Sequence, residues 1–225
     1  GRQRRRTAPI VHFVCHRRRG KMPRLLGVSG VMHPQTVRRG AAFSAPAAGP
    51  RGYAREVRTF VARPLTRESF APFGQVLDID QATGEGRPVN MGTARRHDDV
   101  LSIENLRADA RLNIAAFRCQ PSVPGRFPVV ELEKHPRSGQ LFVPLNASRY
   151  LVAVAHGESA PDLDTLEVFL ASGRQAVCYG PGVWHQPMIV FDVETDFSCF
   201  VWENGTPEDC VPYRLSATEI VTVEL

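Results

Sequence analysis

Apolar and polar positions follow no sustained rhythm over residues 1–55 and then settle into short, regular runs. The first run, over 57–62, reads as an opening strand. Thr66 is placed to cap a short helix over 68–73, and Gly74 is a usual C-terminal stop. The polar, glycine-containing stretch 80–96 reads as a loop. Strand-like runs follow at 112–118, 129–133, 141–144, 150–155, 166–170, 176–179, 188–193, 196–202 and 220–223. In one of them Leu166, Val168 and Leu170 alternate with Glu167 and Phe169, the period-2 pattern of a half-buried strand. Ala171-Ser172-Gly173 then supplies a turn into the next. Many short strands with few short helices predict a mainly β domain over 56–225, an antiparallel β-barrel or jelly roll.

Charge divides the chain at the same place. Its 225 residues carry 28 basic and 23 acidic side chains, a net of +5. Residues 1–55 hold 13 Arg or Lys and no acid, so 56–225 holds 15 basic against 23 acidic residues, a net of −8. A body of that sign repels phosphate, and nucleic-acid binding is not expected of it. Residues 1–55 form a basic leader, expected to be disordered. A transit segment, a basic tail that touches RNA or anionic lipid, and a stretch upstream of the true start all fit it. No apolar run approaches the roughly 18 residues of a membrane span, so no membrane partner is expected. Cys15, Cys119, Cys178, Cys199 and Cys210 are widely spaced and form no CxxC pair. They read as mostly buried, reduced thiols of a cytoplasmic protein rather than a disulfide framework or a thiolate zinc site.

Two polar clusters carry candidate chemistry. In Glu131-Leu-Glu133-Lys-His135-Pro-Arg137-Ser-Gly-Gln140, strand alternation points Glu131, Glu133 and His135 to one face. That face is either solvated or lines a site. In Tyr179-Gly-Pro-Gly-Val-Trp184-His185-Gln-Pro187, Gly180 and Gly182 permit a sharp turn before His185. This histidine is either a packed core residue or a ligand. Taken together, Glu-x-His-x4-Gln followed by Gly-x-Gly-x-x-His matches the two-strand metal layout of a cupin barrel. Glu133, His135, Gln140 and His185 then occupy the four ligand positions, a set suited to a borderline divalent ion such as nickel, zinc or manganese. Arg95-Arg96-His97-Asp98-Asp99 is a solvated charge run or a loop entering the barrel mouth. Arg118, ending a strand-like run, either packs its stem or faces an anion. No Gly-x-Ser-x-Gly and no Gly-x-Gly-x-x-Gly occurs, and no nucleotide or flavin cofactor is expected.

The block from Glu131 to Pro144 is similar to the Glu-x-x-x-His-Pro-x-x-x-Gln-x-Phe-x-Pro signature of the ureidoglycolate lyase family. Tyr179 to Pro187 resembles that family's Tyr-(x)4-Trp-His-x-Pro segment, and His97-Asp98, Asp196-Phe197 and Asn204-Gly205 also correspond. The resemblance implies a homodimeric cupin-type carbon–nitrogen lyase of allantoin and purine catabolism. It would cleave (S)-ureidoglycolate to glyoxylate and urea, with a divalent metal, nickel or zinc, as an optional cofactor. Such an elimination needs a base, an acid and a cationic anchor for the substrate carboxylate. His135 or Glu133 is expected as base and His185 as acid or metal ligand. Gln140 is expected to orient the ureido group or the metal. Arg118 or Arg96 is the expected anchor, with His97 and Trp184 as further substrate contacts. Glu133 is expected to raise the His135 pKa. The alternatives are a non-catalytic small-acid-binding cupin and another cupin enzyme.

Overall fold

The computed structural model describes residues 57–81 and 84–225; the expected leader over 1–55, its boundary and Cys15 lie outside the described residues. Strand β1 (Thr59–Val61) lies within the opening strand expected over 57–62, and a second short strand, β2 (Arg63–Pro64), follows it. Helix α1 (Arg67–Phe70) follows. Its start is the one the sequence encodes. The Ser69 N–H donates to Thr66 Oγ1 at 3.1 Å and the Thr66 N–H to Ser69 Oγ at 3.2 Å, the reciprocal pairing of a capping box. The helix ends at Phe70, short of the expected 73, and Gly74, expected as its stop, begins β3 (Gly74–Asp78). At φ 149°, a Cβ there would lie 2.0 Å from the Cys178 carbonyl oxygen, so only glycine lets this strand close on its neighbour.

The segment expected as a loop over 80–96 contains a ribbon of β4 (Arg87–Val89) and β5 (Ala94–Arg96). Neither strand has an apolar face, so hydropathy gave no sign of it. The chain continues through β6 (Arg111–Cys119), β7 (Pro121–Ser122), β8 (Arg126–Val129) and β9 (Glu131–Lys134). Next come β10 (Gln140–Pro144), β11 (Arg149–Ala155), β12 (Glu167–Ser172) and β13 (Gln175–Tyr179). It ends with β14 (Trp184–His185), β15 (Ile189–Phe191), β16 (Thr195–Glu203), β17 (Val211–Arg214) and β18 (Val221–Glu224).

The mainly β, largely antiparallel architecture matches the expectation, and the ladders lie in separate sheets instead of joining round one barrel. A five-stranded sheet runs β3-β13-β10-β16-β6. An eight-stranded sheet runs β17-β9-β14-β11-β12-β2, with β15 and β7 attached beside β11, and a smaller sheet runs β1-β18-β8. The large sheet is apolar on both faces. Tyr150, Val152 and Val154 of β11 join Phe142, Val177, Tyr179 and Phe197 of the five-stranded sheet in one core. Leu151, Ala153 and Ala155 join Val129, Val221 and Val223 of the small sheet in a second. A strand with two buried faces carries a continuous apolar run, as 150–155 does.

Candidate functional site

The residue pattern of β9 and β14 divides their side chains between the two faces of the large sheet. Leu132 and Trp184 enter the second core. Glu133 and His185 are direct register partners across the ladder, and alternation sends both the other way. There His185 lies under Tyr179, ring on ring at 4.1 Å and 7°. His135 follows β9, and its ring stacks on that of His185 with centroids 5.5 Å apart. Gln140 opens β10 in register with Tyr179. A hydrogen bond from the Gly182 N–H to the His135 carbonyl at 3.0 Å ties the two sequence clusters together. Four of the expected residues, Glu133, His135, Gln140 and His185, therefore converge.

Hydrogen bonds fix the tautomers. His135 Nδ1 meets the Asp209 carbonyl at 2.5 Å, and His185 Nδ1 meets the Val183 carbonyl at 3.0 Å. A carbonyl only accepts, so both Nδ1 atoms carry hydrogen and each neutral ring keeps its lone pair on Nε2. Both Nε2 atoms and Gln140 Oε1 are buried without a hydrogen-bond partner among the described residues. Glu133 reaches toward His185 with Oε1, 3.7 Å from Nε2, and takes the Cys210 thiol on Oε2 at 3.5 Å. Buried acceptors without donors are costly, and several around one carboxylate suit a cation. A carboxylate oxygen of Glu133, a ring nitrogen of His135 and Cys210 Sγ all lie within 4.8 Å of one another.

Burial, reinforced by the neighbouring His185, pushes the His135 pKa down to about 4. The expected upward pull of Glu133 is present but is outweighed by desolvation. The Glu133 carboxyl, which burial alone would raise, is held below its ordinary value by His185, His135 and Cys210. Burial pushes the Tyr179 hydroxyl far above its ordinary value, so it stays protonated.

Several members of this site were absent from the expected set. Asp209 acts through its backbone carbonyl, for which sequence carries no signal. Its side chain is gripped by Arg107, with Nη2 2.6 Å from Oδ1, and by the N–H groups of Asn204 and Gly205. Cys210 was passed over because it lacks a CxxC partner. Tyr179 stood in the aromatic cluster, and its register with Gln140 was the missing information.

Other expected contacts lie elsewhere. Arg118 is exposed on β6 and forms a two-pronged pair with Asp196 at 2.8 Å, with Glu194 nearby. Trp184 is fully buried, donates to the Gly157 carbonyl at 2.9 Å and carries Lys134 over its ring. Arg96 pairs with Asp98 at 2.6 Å and, with Arg67, Arg87 and His97, lines a cleft of about 380 Å³. A second cleft, about 560 Å³, is lined by Phe73, Glu104, His156 and Pro181. Neither cleft is lined by His135 or His185.

The family model for ureidoglycolate lyase matches residues 57–222. A ureidoglycolate lyase of Brucella anthropi is 40% identical over 141 residues, covering 63% of this chain and 81% of that protein. One from Salmonella typhimurium is 36% identical over 149 residues, 65% of this chain and 88% of the other. One from Pseudomonas savastanoi pv. phaseolicola is 29% identical over 168 residues, 75% and 96% of the two chains. Among solved structures, an rmlC epimerase of Mycobacterium tuberculosis overlaps 49% of this chain and 53% of its own, at 13% identity and a TM-score of 0.34. That likeness is too distant to bear on the site.

Proposed function

The chain belongs to the ureidoglycolate lyase family, and from that premise we propose that it cleaves (S)-ureidoglycolate to glyoxylate and urea at the Glu133–His135–Gln140–His185 cluster. The observation that carries this reading is the pair of imidazoles whose Nδ1 atoms are held by backbone carbonyls and whose buried Nε2 atoms are unpartnered beside one carboxylate. His185 Nε2 takes the substrate hydroxyl proton. The resulting imidazolium is stabilised by Glu133 Oε1, 3.7 Å away. As the carbon–oxygen bond becomes the aldehyde carbonyl, the carbon–nitrogen bond breaks. The departing urea nitrogen recovers the proton from His185. Atoms and charge balance, and no covalent nucleophile is required.

The low pKa of His135 keeps its ring unprotonated at neutral pH, the state a metal ligand needs. His135, Glu133 and Gln140 fit a borderline divalent ion, nickel or zinc. Such an ion, when bound, supplies Lewis-acid polarisation of a substrate oxygen. Both arginines expected to anchor the substrate carboxylate are paired, Arg118 with Asp196 and Glu194 and Arg96 with Asp98; Arg96 is the anchor proposed, because it lines a cleft with His97. A homodimer fits the edge strand β6, where Leu112 and Ile114 are 41% and 64% exposed. A cytoplasmic location accords with the cysteine pattern.

The test is incubation of the purified chain with racemic ureidoglycolate while glyoxylate, urea and ammonia are measured separately. Urea and glyoxylate without ammonia are expected. Release of ammonia would indicate amide hydrolysis, and no product, with or without added nickel, would turn the site into a binding pocket.

A further inference from the structure

Cys210 takes no part in the proton transfers above, yet it is built into the same centre. We infer that its sulfur is a thiolate ligand of a transition-metal ion held jointly with Glu133 and His135, which makes the site selective for nickel, cobalt or zinc over magnesium or calcium. This rests on the reading of the cluster as a metal centre and adds a donor that the cupin layout does not contain.

Three observations carry it. The Cys210 sulfur lies 3.5 Å from Glu133 Oε2 and within 4.8 Å of a His135 ring nitrogen. Metal–sulfur and metal–nitrogen bonds of about 2.3 and 2.0 Å hold those two donors about 3.5 Å apart at a tetrahedral ion, so at most about 1.3 Å of closure brings them to binding distance. Second, His135 Nδ1 is taken by the Asp209 carbonyl, so Nε2, buried without a hydrogen-bond partner on a side chain only 3% exposed, is the ring nitrogen with an electron pair to offer an ion. Third, the cysteine is held in place. Arg107 binds Asp209 at 2.6 Å, the Trp202 carbonyl at 3.2 Å and Asn204 Oδ1 at 2.8 Å, while Asp209 accepts from two backbone N–H groups and its carbonyl receives His135 Nδ1. The bonds that orient the imidazole thus also fix the residue next to Asp209.

A thiol hydrogen-bonded to a carboxylate would account for the 3.5 Å contact by itself. It would leave the Nε2 lone pair of His135 unanswered. A metal ion satisfies nitrogen, oxygen and sulfur together, with the thiol proton released to solvent. The thiolate and Glu133 then neutralise a divalent charge, and sulfur biases the choice toward softer ions.

Cobalt(II) alone, added to the full chain after chelator treatment, gives the test. Expected are visible d–d bands and a near-ultraviolet thiolate-to-cobalt charge-transfer band. In Cys210→Ser the charge-transfer band disappears, the d–d bands persist, and cobalt affinity falls at least about tenfold. Circular dichroism of this near-isosteric variant checks that it folds. Cys119 and Cys178 do not compete, because burial pushes their thiols up to about 11 and about 12. Bound cobalt without a charge-transfer band, or a band that survives in Cys210→Ser, overturns the proposal. No cobalt uptake at all overturns it together with the metal reading. Turnover by that metal-free chain in the urea assay would still leave the lyase assignment standing.

Discussion

Trp184 and His185 are neighbours in the chain but belong to opposite faces of the large sheet. The indole is buried in the core shared with β18 and β8, while the imidazole lies under Tyr179 beside Glu133. One two-residue strand thus separates a stabilising role from a chemical one. Trp184→Ala is expected to destabilise the fold by about 3–5 kcal/mol, read from urea denaturation, with per-molecule turnover of the folded fraction little changed. His185→Ala, which also empties a fully buried site, is expected to lower the midpoint and to cut turnover per folded molecule by about 100-fold or more. Near-native rates in His185→Ala would remove it from the reaction.

Acid should loosen the metal-free protein before carboxylates matter. The ordinary histidine value is 6.5, and burial brings His135 to about 4 in the fold. Between those values the unfolded chain holds the proton and the folded chain does not. Stability is therefore full above pH 6.5 and declines as the pH falls toward 4, by at most about 3 kcal/mol from this group. Glu133, held below its ordinary 4.5, extends the loss in the same direction at lower pH. Chemical denaturation of wild type and His135→Gln between pH 4 and 7 checks it: the slope should flatten in the variant.

The two arginines proposed from sequence as carboxylate anchors should separate kinetically. Arg118 pairs with Asp196 and Arg96 with Asp98, but of the two it is Arg96 that lines the cleft with His97, so KM of Arg118→Ala should stay within about threefold of wild type. Arg96→Ala should raise KM about tenfold, in line with the loss of one charge-assisted hydrogen bond of about 1.5 kcal/mol. The reverse ranking would return the anchor to Arg118.

Gly86 gives the same cleft a backbone test. At φ 66°, a Cβ at Gly86 would stand 2.7 Å from His97 Nε2, so Gly86→Ala strains the turn and displaces that ring. If His97 contacts substrate, Gly86→Ala should raise KM while thermal stability falls by only a few degrees. An unchanged KM would take His97 out of the binding site.

The sequence was legible where side chains carry the information. The Thr66 cap, the buried run at 150–155 and the meeting of Glu133, His135, Gln140 and His185 all follow from residue type and spacing. The ribbon of β4 and β5 was missed because Arg87 and Arg96 face each other across it with no apolar stripe to show alternation. Asp209 was invisible because its carbonyl does the work. Arg118 misled for a different reason: an arginine at a strand end demands an anion, and the anion is Asp196, its register partner on β16, 78 residues away in sequence.

The two-sided burial of β11 bears on how this chain finds its pairing. In most sheets a slip by one residue exposes oil to water and is rejected on that ground. Here Tyr150, Val152 and Val154 would trade places with Leu151, Ala153 and Ala155, and every exchanged residue would still be dry. What forbids the exchange is volume: a tyrosine cannot enter the space of a leucine or alanine, nor can alanine fill the space left by valine. Alignment of the central strand is thus written in side-chain size and in the one buried hydroxyl, Tyr150, that donates to the Gln175 carbonyl, and enlarging Ala153 should scramble it more readily than introducing a polar residue at the exposed edge.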